Sequence, residues 1–206
     1  MKTSARLTLV AALLASALAT SGCLPLVATG AAVGTLAALD RRTLGAQTED
    51  QEIELKATNR MRDALKQPGG VSVTSFNRKV LLTGQVASED DKRAAEAAVA
   101  GLPNVRSIHN ELQVLGRPSM TTSAADTAIT ARVKTALINA QDLHANTIKV
   151  VTESGTVYLM GLVSRREADR AAQVAARVAG VQRVVTVFEL ITEEEVTRIH
   201  GAPKKN

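Results

Sequence analysis

The sequence is almost without aromatic side chains. Its 206 residues include no Trp, one Tyr at position 158 and two Phe at positions 76 and 188. Base-stacking nucleic-acid modules need exposed aromatic rings, so we expect no nucleic-acid partner. Any core must be built from Val, Leu, Ile and Ala. The apolar share of 45% is nevertheless too high for a wholly disordered chain.

Cysteine occurs once, at Cys23, which excludes an internal disulfide and a cysteine-rich zinc site. Residues 1–22 have the layout of a secretory signal: a basic start, an apolar run and a stretch of small residues. Residues 18–23 (LATSGC) are similar to a bacterial lipobox, in which the signal is cut before the cysteine and the cysteine is acylated. We therefore predict lipidation of Cys23, with an ordinary signal peptide and an incidental cysteine as the alternative.

The mature chain lacks a long uninterrupted hydrophobic run. Residues 24–39 are apolar but number only 16 and include Pro25. A transmembrane helix needs about 20 apolar residues, so a second membrane span is the less favoured interpretation. We predict a membrane-proximal linker over residues 23–50.

The rest of the chain contains one pattern twice. Residues 79–86 (KVLLTGQV) and 156–163 (TVYLMGLV) share four identical residues in the same register. A Ser with an acidic residue three positions later follows in each copy, at Ser88 and Ser164, which is typical of a helix N-terminus. Alternating apolar residues predict strands, and an amphipathic helix precedes each strand pair. Each copy is therefore predicted as helix, strand, strand, helix, strand.

This pattern predicts an α+β fold with two tandem αββαβ domains, each a three-stranded mixed sheet packed on two helices. Gly84 and Gly161 at inward strand positions indicate close approach by a helix backbone, or a bulge. The predicted segments are a signal peptide (1–22), the acylated cysteine and linker (23–50), the first domain (51–116), a linker (117–125), the second domain (126–192) and a tail (193–206).

The duplicated pattern resembles the BON domain, and the chain as a whole is similar to the dual-BON outer-membrane lipoproteins of the DolP type. The resemblance covers Cys23, parts of the linker and both repeats, and it is most specific over residues 150–163 (VVTESGTVYLMGLV). It implies binding of anionic phospholipid through the second copy, enrichment at division sites and a role in outer-membrane integrity. Outer-membrane assembly or peptidoglycan-remodelling proteins are further expected partners. Leu24 after the cysteine favours the outer membrane by the sorting rule of enteric bacteria.

The resemblance also implies a lipid-binding surface on the first helix of the second domain. It places that surface at Ala128, Ile129, Arg132, Val133 and Lys134. The two basic side chains suit phosphate oxygens. A membrane-inserting Trp of the family falls on Ala128 here, so we expect lipid binding that is weaker, more electrostatic or dependent on the acyl anchor. The alternative is that the two basic residues only solvate a helix face.

The two sheets differ on the face that their helices leave open. In the first copy this face carries Leu81, Thr83, Gln85, His109, Glu111 and Gln113, which water can wet. In the second copy it carries Tyr158, Met160, Leu162, Val185, Val187 and Ile191. A contiguous apolar face of this kind does not stay solvated. We expect it to pack against the first copy, with another subunit or a protein partner as alternatives.

Patterns typical of enzymes are missing. His109, His144 and His200 share no spacing that would bring them together at a metal or a nucleophile. We therefore predict no catalytic residue, no metal site and no cofactor. The first hypothesis is a lipid-anchored, periplasm-facing outer-membrane protein that binds anionic phospholipid and supports envelope integrity. The alternative is a periplasmic chaperone-like protein that holds client polypeptides on the apolar back face of the second domain.

Overall fold

Two copies of one five-element pattern make up most of the described chain. The structure, a computed structural model, describes residues 40–65, 70–115 and 123–200, all within one compact unit. The predicted signal peptide, Cys23, the linker up to residue 39 and tail residues 201–206 lie outside the described residues. In the part that is described, no helix is long and apolar enough to cross a membrane.

The first domain consists of two helices on one side of a mixed sheet. Its elements are α1 (Leu44–Ala64), β1 (Val71–Phe76), β2 (Lys79–Val86), α2 (Glu89–Ala100), β3 (Ser107–Asn110) and β4 (Gln113–Val114). Strand β2 pairs antiparallel with β1 and parallel with β3 and β4. The last strand is divided into two, and between the two segments the Leu112 N–H donates to the side chain of Asn110 at 3.3 Å.

The second domain repeats this order. Its elements are α3 (Ser123–Asn139), β5 (Ile148–Glu153), β6 (Thr156–Val163), α4 (Arg165–Ala176) and β7 (Arg183–Leu190). Strand β6 pairs antiparallel with β5 and parallel with β7 along eight residues. The predicted α+β fold with two αββαβ domains is confirmed. A further helix, α5 (Glu193–His200), follows the second domain.

The central strands β2 and β6 separate the two faces of each sheet. Alternate residues point to opposite faces of a strand. Val80, Leu82 and Val86 enter the core under α1 and α2, while Val157, Leu159 and Val163 enter the core under α3 and α4. Each helix pair therefore covers one face of its sheet, as the sequence predicts.

The two strand glycines are required by neighbouring backbone. A Cβ on Gly161 would lie 2.6 Å from the carbonyl oxygen of Thr147, and a Cβ on Gly84 would overlap the carbonyl oxygen of Gly70. Thr147 and Gly70 directly precede the edge strands β5 and β1. The close approach thus comes from the short 3-10 backbone that leads into the edge strand, which for Gly161 is the helix Ala145–Thr147, and not from the α-helices that cover the sheet.

Three predicted segment boundaries differ from the structure. Helix α1 begins at Leu44, so the linker predicted to run through residue 50 ends earlier, because the Thr43 hydroxyl accepts the Ala46 N–H at 3.1 Å and caps the helix. Helix α3 begins at Ser123, inside the linker predicted over residues 117–125. The first part of the predicted tail is α5, in which Val196 is buried.

Candidate functional site

Helix α3 is held on the second sheet by a face that repeats every three or four residues. Its buried residues are Asp126, Ile129, Val133 and Leu137, of which the three apolar ones pack into the core of the second domain. The Asp126 carboxylate accepts the N–H groups of Ser154 and Gly155, at 2.8 and 2.9 Å, in the turn between β5 and β6. The opposite face of α3 is thereby directed outward.

The five residues predicted to bind lipid divide between these two faces. Ala128, Arg132 and Lys134 are exposed. Ile129 and Val133 are buried, with relative exposures of 6% and 0%. Because both lie between α3 and the sheet, they stabilise the helix and cannot contact a lipid surface. Of the five predicted residues, only the three exposed ones remain candidates for lipid contact.

The outermost line of α3 is apolar and lies between the two basic residues. Successive residues of a helix are about 100° apart around its axis. This spacing places Ala124, Ala128, Ala131, Thr135 and Ile138, all exposed, along the ridge farthest from the sheet. Arg132 lies on one side of this apolar ridge and Lys134 on the other. Ile138 is 64% exposed, and the Thr135 hydroxyl donates to the Ala131 carbonyl oxygen at 3.0 Å.

Arg132 and Lys134 also lack acidic partners. Over residues 40–65, 70–115 and 123–199, neither side chain forms an ion pair. Some exposed basic residues elsewhere do so, as in Lys56 with Glu52 at 2.5 Å and Arg170 with Asp142 at 2.9 Å, whereas others, such as Arg177, do not. The positive charges of Arg132 and Lys134 are therefore available to an external anion.

The helix layers of the two domains carry opposite net charge. Helices α1 and α2 contain nine acidic and five basic residues, whereas α3 and α4 contain three acidic and five basic residues. Two of those three acids, Asp126 and Glu167, are buried. An anionic surface would therefore attract the helix layer of the second domain and repel that of the first.

The open faces of the two sheets pack against each other. A buried cluster joins Phe76 and Leu81 of the first domain to Tyr158, Met160 and Val187 of the second. Leu162 and Val185 pack at its margin with Val151. The predicted partner face of the second domain is thus covered by the first domain. Burial raises the pKa of the Tyr158 hydroxyl, and the nearby charge of Glu111 raises it further.

Half of the matching face of the first sheet is not left to water, which corrects in part the expectation that it stays wettable; its other predicted residues, His109, Glu111 and Gln113, are half-buried. Leu81, Thr83 and Gln85 have relative exposures of 0%, 1% and 6%. From the sequence pattern we expected these residues to form a surface that water can wet. Leu81 belongs to the interdomain cluster, so docking of the second domain accounts for its burial.

Polar contacts surround this interdomain cluster. Lys149 pairs with Glu54 at 3.1 Å and Arg183 with Glu111 at 3.3 Å. Glu189 accepts a 2.8 Å hydrogen bond from the side-chain amide of Asn77 and lies 3.9 Å from Arg106. Lys79 donates to the carbonyl oxygen of Phe188 at 3.2 Å. Each of these contacts joins one domain to the other.

A buried ion pair joins the start of the described chain to the second domain. Arg41 donates to both carboxylate oxygens of Glu167, at 2.6 and 2.8 Å, and to the Leu162 carbonyl oxygen at 2.7 Å. The same carboxylate accepts the Ser164 N–H at 3.0 Å, which completes a capping box at the start of α4. Burial acts to raise the pKa of Glu167, but hydrogen bonds from Arg41, Ser164 and His144 outweigh it and lower that pKa to about 2.

Sequence reasoning missed Arg41 and also Asp50, the equivalent of Asp126. The Asp50 carboxylate accepts the N–H groups of Asn77 and Arg78, both at 2.7 Å, in the turn between β1 and β2. The sequence could have identified the two aspartates. Each lies on the helix face that also carries the buried apolar residues, and the two occupy the same position of the repeat. Arg41 has no such signal, since its partner lies 126 residues later.

Metal-binding geometry is not found in the described residues, where no three His, Cys, Asp or Glu side chains are grouped to hold an ion. His109 is on the first sheet, and burial, with the charge of Lys79, lowers its pKa. His144 contacts Glu167 through Nδ1 at 3.1 Å. The side chain of His200 lies outside the described set. Neither of the two described histidines belongs to a group of three potential metal ligands.

The family comparison matches both repeats. The BON domain family accounts for residues 49–116 and 125–192. The chain belongs to the BON family. These BON domains coincide with the two αββαβ units of the structure, and each family match starts one residue before the aspartate that holds its hairpin turn.

Two curated BON-protein relatives cover most of the chain. It is 35% identical over 184 residues to the outer membrane lipoprotein DolP of Haemophilus influenzae, covering 88% of this chain and 95% of that protein. It is 34% identical over 155 residues to a 21 kDa hemolysin of Actinobacillus pleuropneumoniae, covering 74% and 80%. The predicted kinship with DolP-type, dual-BON proteins is confirmed, and it supports an outer-membrane lipoprotein with a role in the envelope.

A more distant relative matches about half of the chain. Osmotically-inducible protein Y of Escherichia coli is 32% identical over 117 residues, covering 55% of this chain and 58% of that protein.

Proposed function

We propose that this protein is a periplasm-facing outer-membrane lipoprotein that binds anionic phospholipid through helix α3 of its second BON domain. The observation that carries the proposal is the pair of exposed, unpaired basic residues, Arg132 and Lys134, on the two sides of the apolar ridge. A small apolar line between two cations suits a membrane interface, where the line enters the headgroup region and the cations meet phosphate.

The expected affinity is modest and electrostatic. A basic side chain near an anionic membrane surface contributes about 1 kcal/mol. Arg132 and Lys134 together therefore contribute about 2 kcal/mol, or about 30-fold in partitioning. The ridge adds little, because four of its five side chains are Ala or Thr and only Ile138 is large. Acylation of Cys23 would supply stable attachment and keep α3 near the lipid at high effective concentration.

Vesicle binding by a fragment without the anchor tests this proposal. The fragment 37–206 contains the whole compact unit. We expect it to sediment with vesicles of phosphatidylcholine and phosphatidylglycerol at low salt, and to be released as salt screens the charges. Arg132→Gln/Lys134→Gln should weaken binding about 30-fold, because it removes both basic side chains that attract the anionic surface.

The matched control is Lys56→Gln/Arg93→Gln, which removes the same charge from exposed positions on the first domain. We expect this control to bind nearly as the parent does. If both double variants lost the same amount of vesicle binding, a site on α3 would be contradicted, because binding would then depend only on the net charge of the protein.

We further propose that the protein supports envelope integrity at division sites by binding lipid and envelope proteins, and that it is not an enzyme. The similarity to an outer membrane lipoprotein supports the first part of this proposal. Complementation of a deletion strain, with detergent sensitivity as the readout, tests it. Restoration by wild type but not by Arg132→Gln/Lys134→Gln would support a lipid-dependent role, and equal restoration would contradict it.

The chaperone-like alternative is not favoured by the structure. Tyr158 and Met160, which it needs for clients, are fully buried under the first domain. Client binding on this face would require the two domains to separate.

A further inference from the structure

One edge of the second sheet is formed by β7, a continuous strand of 8 residues that, among the described strands, pairs with β6 alone. The Ile191 N–H donates to the last residue of β6 at 3.0 Å, which fixes the phase of the ladder. Because the backbone groups of alternate strand residues point to opposite edges, those of Val184, Thr186 and Phe188 point away from β6. The Phe188 carbonyl oxygen agrees with this phase, since it accepts a 3.2 Å bond from Lys79 of the first domain and keeps a second lone pair.

The same edge of the first domain is closed by one of its own side chains. Asn110 and Thr186 occupy equivalent positions, because they pair with the equivalent central-strand residues Leu82 and Leu159. The Asn110 side chain accepts the Leu112 N–H at 3.3 Å and donates to a carbonyl oxygen of α2 at 3.1 Å. The edge is interrupted there, between β3 and β4. An interrupted edge strand resists pairing with a strand of another chain.

The second domain continues through the equivalent position. Thr186 is exposed, and β7 runs past it without a break. Val184, Val185 and Phe188 beside it are half-buried. A continuous edge strand with apolar side chains and outward backbone groups is a template for a further strand.

The sequence of β7 is complementary to itself when a second strand is reversed about Thr186. The facing side chains are then hydroxyl with hydroxyl, apolar with apolar and positive with negative, all favourable cross-strand pairs. The pairs are Thr186 with Thr186, Val184 with Phe188, Val185 with Val187, and Arg183 with Glu189 of the second molecule. The next registers with the same hydrogen-bonding phase, two residues to either side, place both charged side chains opposite apolar ones. This strand therefore fits a second molecule of the same chain in one register.

We propose that β7 is the interface through which two molecules of this protein associate, antiparallel and about a twofold axis at Thr186. Such an interface is isologous, as in most homodimers. The outward groups of Val184, Thr186 and Phe188 bond to the partner strand and join the two second-domain sheets. The axis is perpendicular to the joined sheet, so both helix layers lie on one side of it. The dimer thus presents two α3 helices to one surface, a consequence that rests on the proposed lipid binding.

Light scattering over a concentration series tests the association. The sample is the mature chain, residues 23–206 with Cys23→Ser, which carries neither an acyl group nor a thiol. We expect the mass to rise with concentration toward twice that of the monomer. A chain that remains a monomer at about 1 mM would overturn the proposal.

Amide hydrogen exchange locates the contact on the strand. At high concentration we expect slower exchange at Val184, Thr186 and Phe188, whose N–H groups point outward. The N–H groups of Val185 and Val187 already point toward β6 and should exchange at an unchanged rate. Association without slower exchange at the three outward groups would overturn the role of β7.

A lysine at the twofold axis should separate the two molecules. Thr186→Lys places two like charges opposite each other, so we expect the dimer dissociation constant to rise at least about tenfold. The matched control is Ser72→Lys, which alters an exposed hydroxyl residue on β1, an edge strand of the first sheet, and should leave dimerisation unchanged. Equal effects of the two variants, or a dimer that persists in Thr186→Lys, would contradict the interface.

Disulfide cross-linking gives a second readout, which serves if Thr186→Lys does not fold. Residues in a hydrogen-bonded antiparallel pair have Cα atoms about 5.5 Å apart, within the range of a disulfide. In the Cys23→Ser chain we expect Thr186→Cys to form a covalent dimer in a glutathione redox buffer, and Ser72→Cys to remain monomeric. Equal cross-linking would overturn the proposal. Lipid is absent from all these measurements, so a failure of lipid binding by α3 leaves the dimer unaffected.

Discussion

Removal of the Glu167 carboxylate should change the pH dependence of stability in a defined way. This carboxylate is 1% exposed and is held by Arg41, the Ser164 N–H and His144. Its pKa is lowered from 4.5 to about 2 in the folded protein. A lowered carboxyl pKa means that the unfolded chain binds the proton more tightly, so the stabilisation is complete above pH 4.5 and is lost as the pH falls toward 2.

The expected size follows from this shift. One pKa unit corresponds to about 1.4 kcal/mol, so the contribution of Glu167 is about 3 kcal/mol at pH 7 and about 1 kcal/mol at pH 3. In Glu167→Gln the Arg41 guanidinium also remains buried without an opposite charge. Removing one partner of a buried ion pair lowers stability by several kcal/mol.

Urea unfolding of the fragment 37–206 at pH 7, 5, 4 and 3 measures the effect. We expect wild type and Glu167→Gln to differ by at least about 3 kcal/mol at pH 7 and to converge as the pH falls. Asp169→Asn, an exposed acid on the same helix, is the control and should follow wild type at each pH. A stability difference that stays constant from pH 7 to pH 3 would refute the role given to the Glu167 charge.

Three further changes test the architecture. Met160→Lys places a charge in the interdomain cluster, so we expect the domains to separate, with faster proteolysis and two melting transitions; unchanged melting and proteolysis would contradict the interface. Gly161→Ala brings a Cβ to 2.6 Å from the Thr147 carbonyl oxygen, and we expect a loss of about 2 kcal/mol by urea unfolding, whereas a neutral result would contradict the close approach. Asp126→Ala removes the acceptor for two turn N–H groups, and a loss of about 2 to 3 kcal/mol is expected by the same assay, with faster amide exchange at Ser154 and Gly155; unaltered exchange would contradict it.

The structure of each repeat was predictable because its signals are local. Alternation in β2 and β6 and the capping Ser residues indicate elements through neighbouring residues. The apolar back face of the second sheet was predictable for the same reason, since every second residue of a strand shares a face. The candidate site was predicted only in part: periodicity within α3 places Ile129 and Val133 on the buried phase, and the family resemblance had grouped them with the exposed residues.

What covers the apolar face could not be decided from the sequence. A pattern states that Tyr158 and Met160 avoid water, but a first domain, a second copy and a protein partner would all satisfy it. The polar contacts that surround the cluster, such as Lys149 with Glu54, join residues 95 positions apart and leave no periodic trace. Only the packed arrangement of both domains identifies the occupant.

The sequence alone therefore determined the repeat, the faces of its helices and strands and the location of exposed positive charge, because each depends on side-chain spacing within one element. The tertiary structure decided how the domains are joined and where Arg41, at the start of the described chain, is held. That attachment depends on Arg41 and Glu167, whose buried charges stabilise the fold only when paired, and a pairing across 126 residues is set by the fold and not by local spacing.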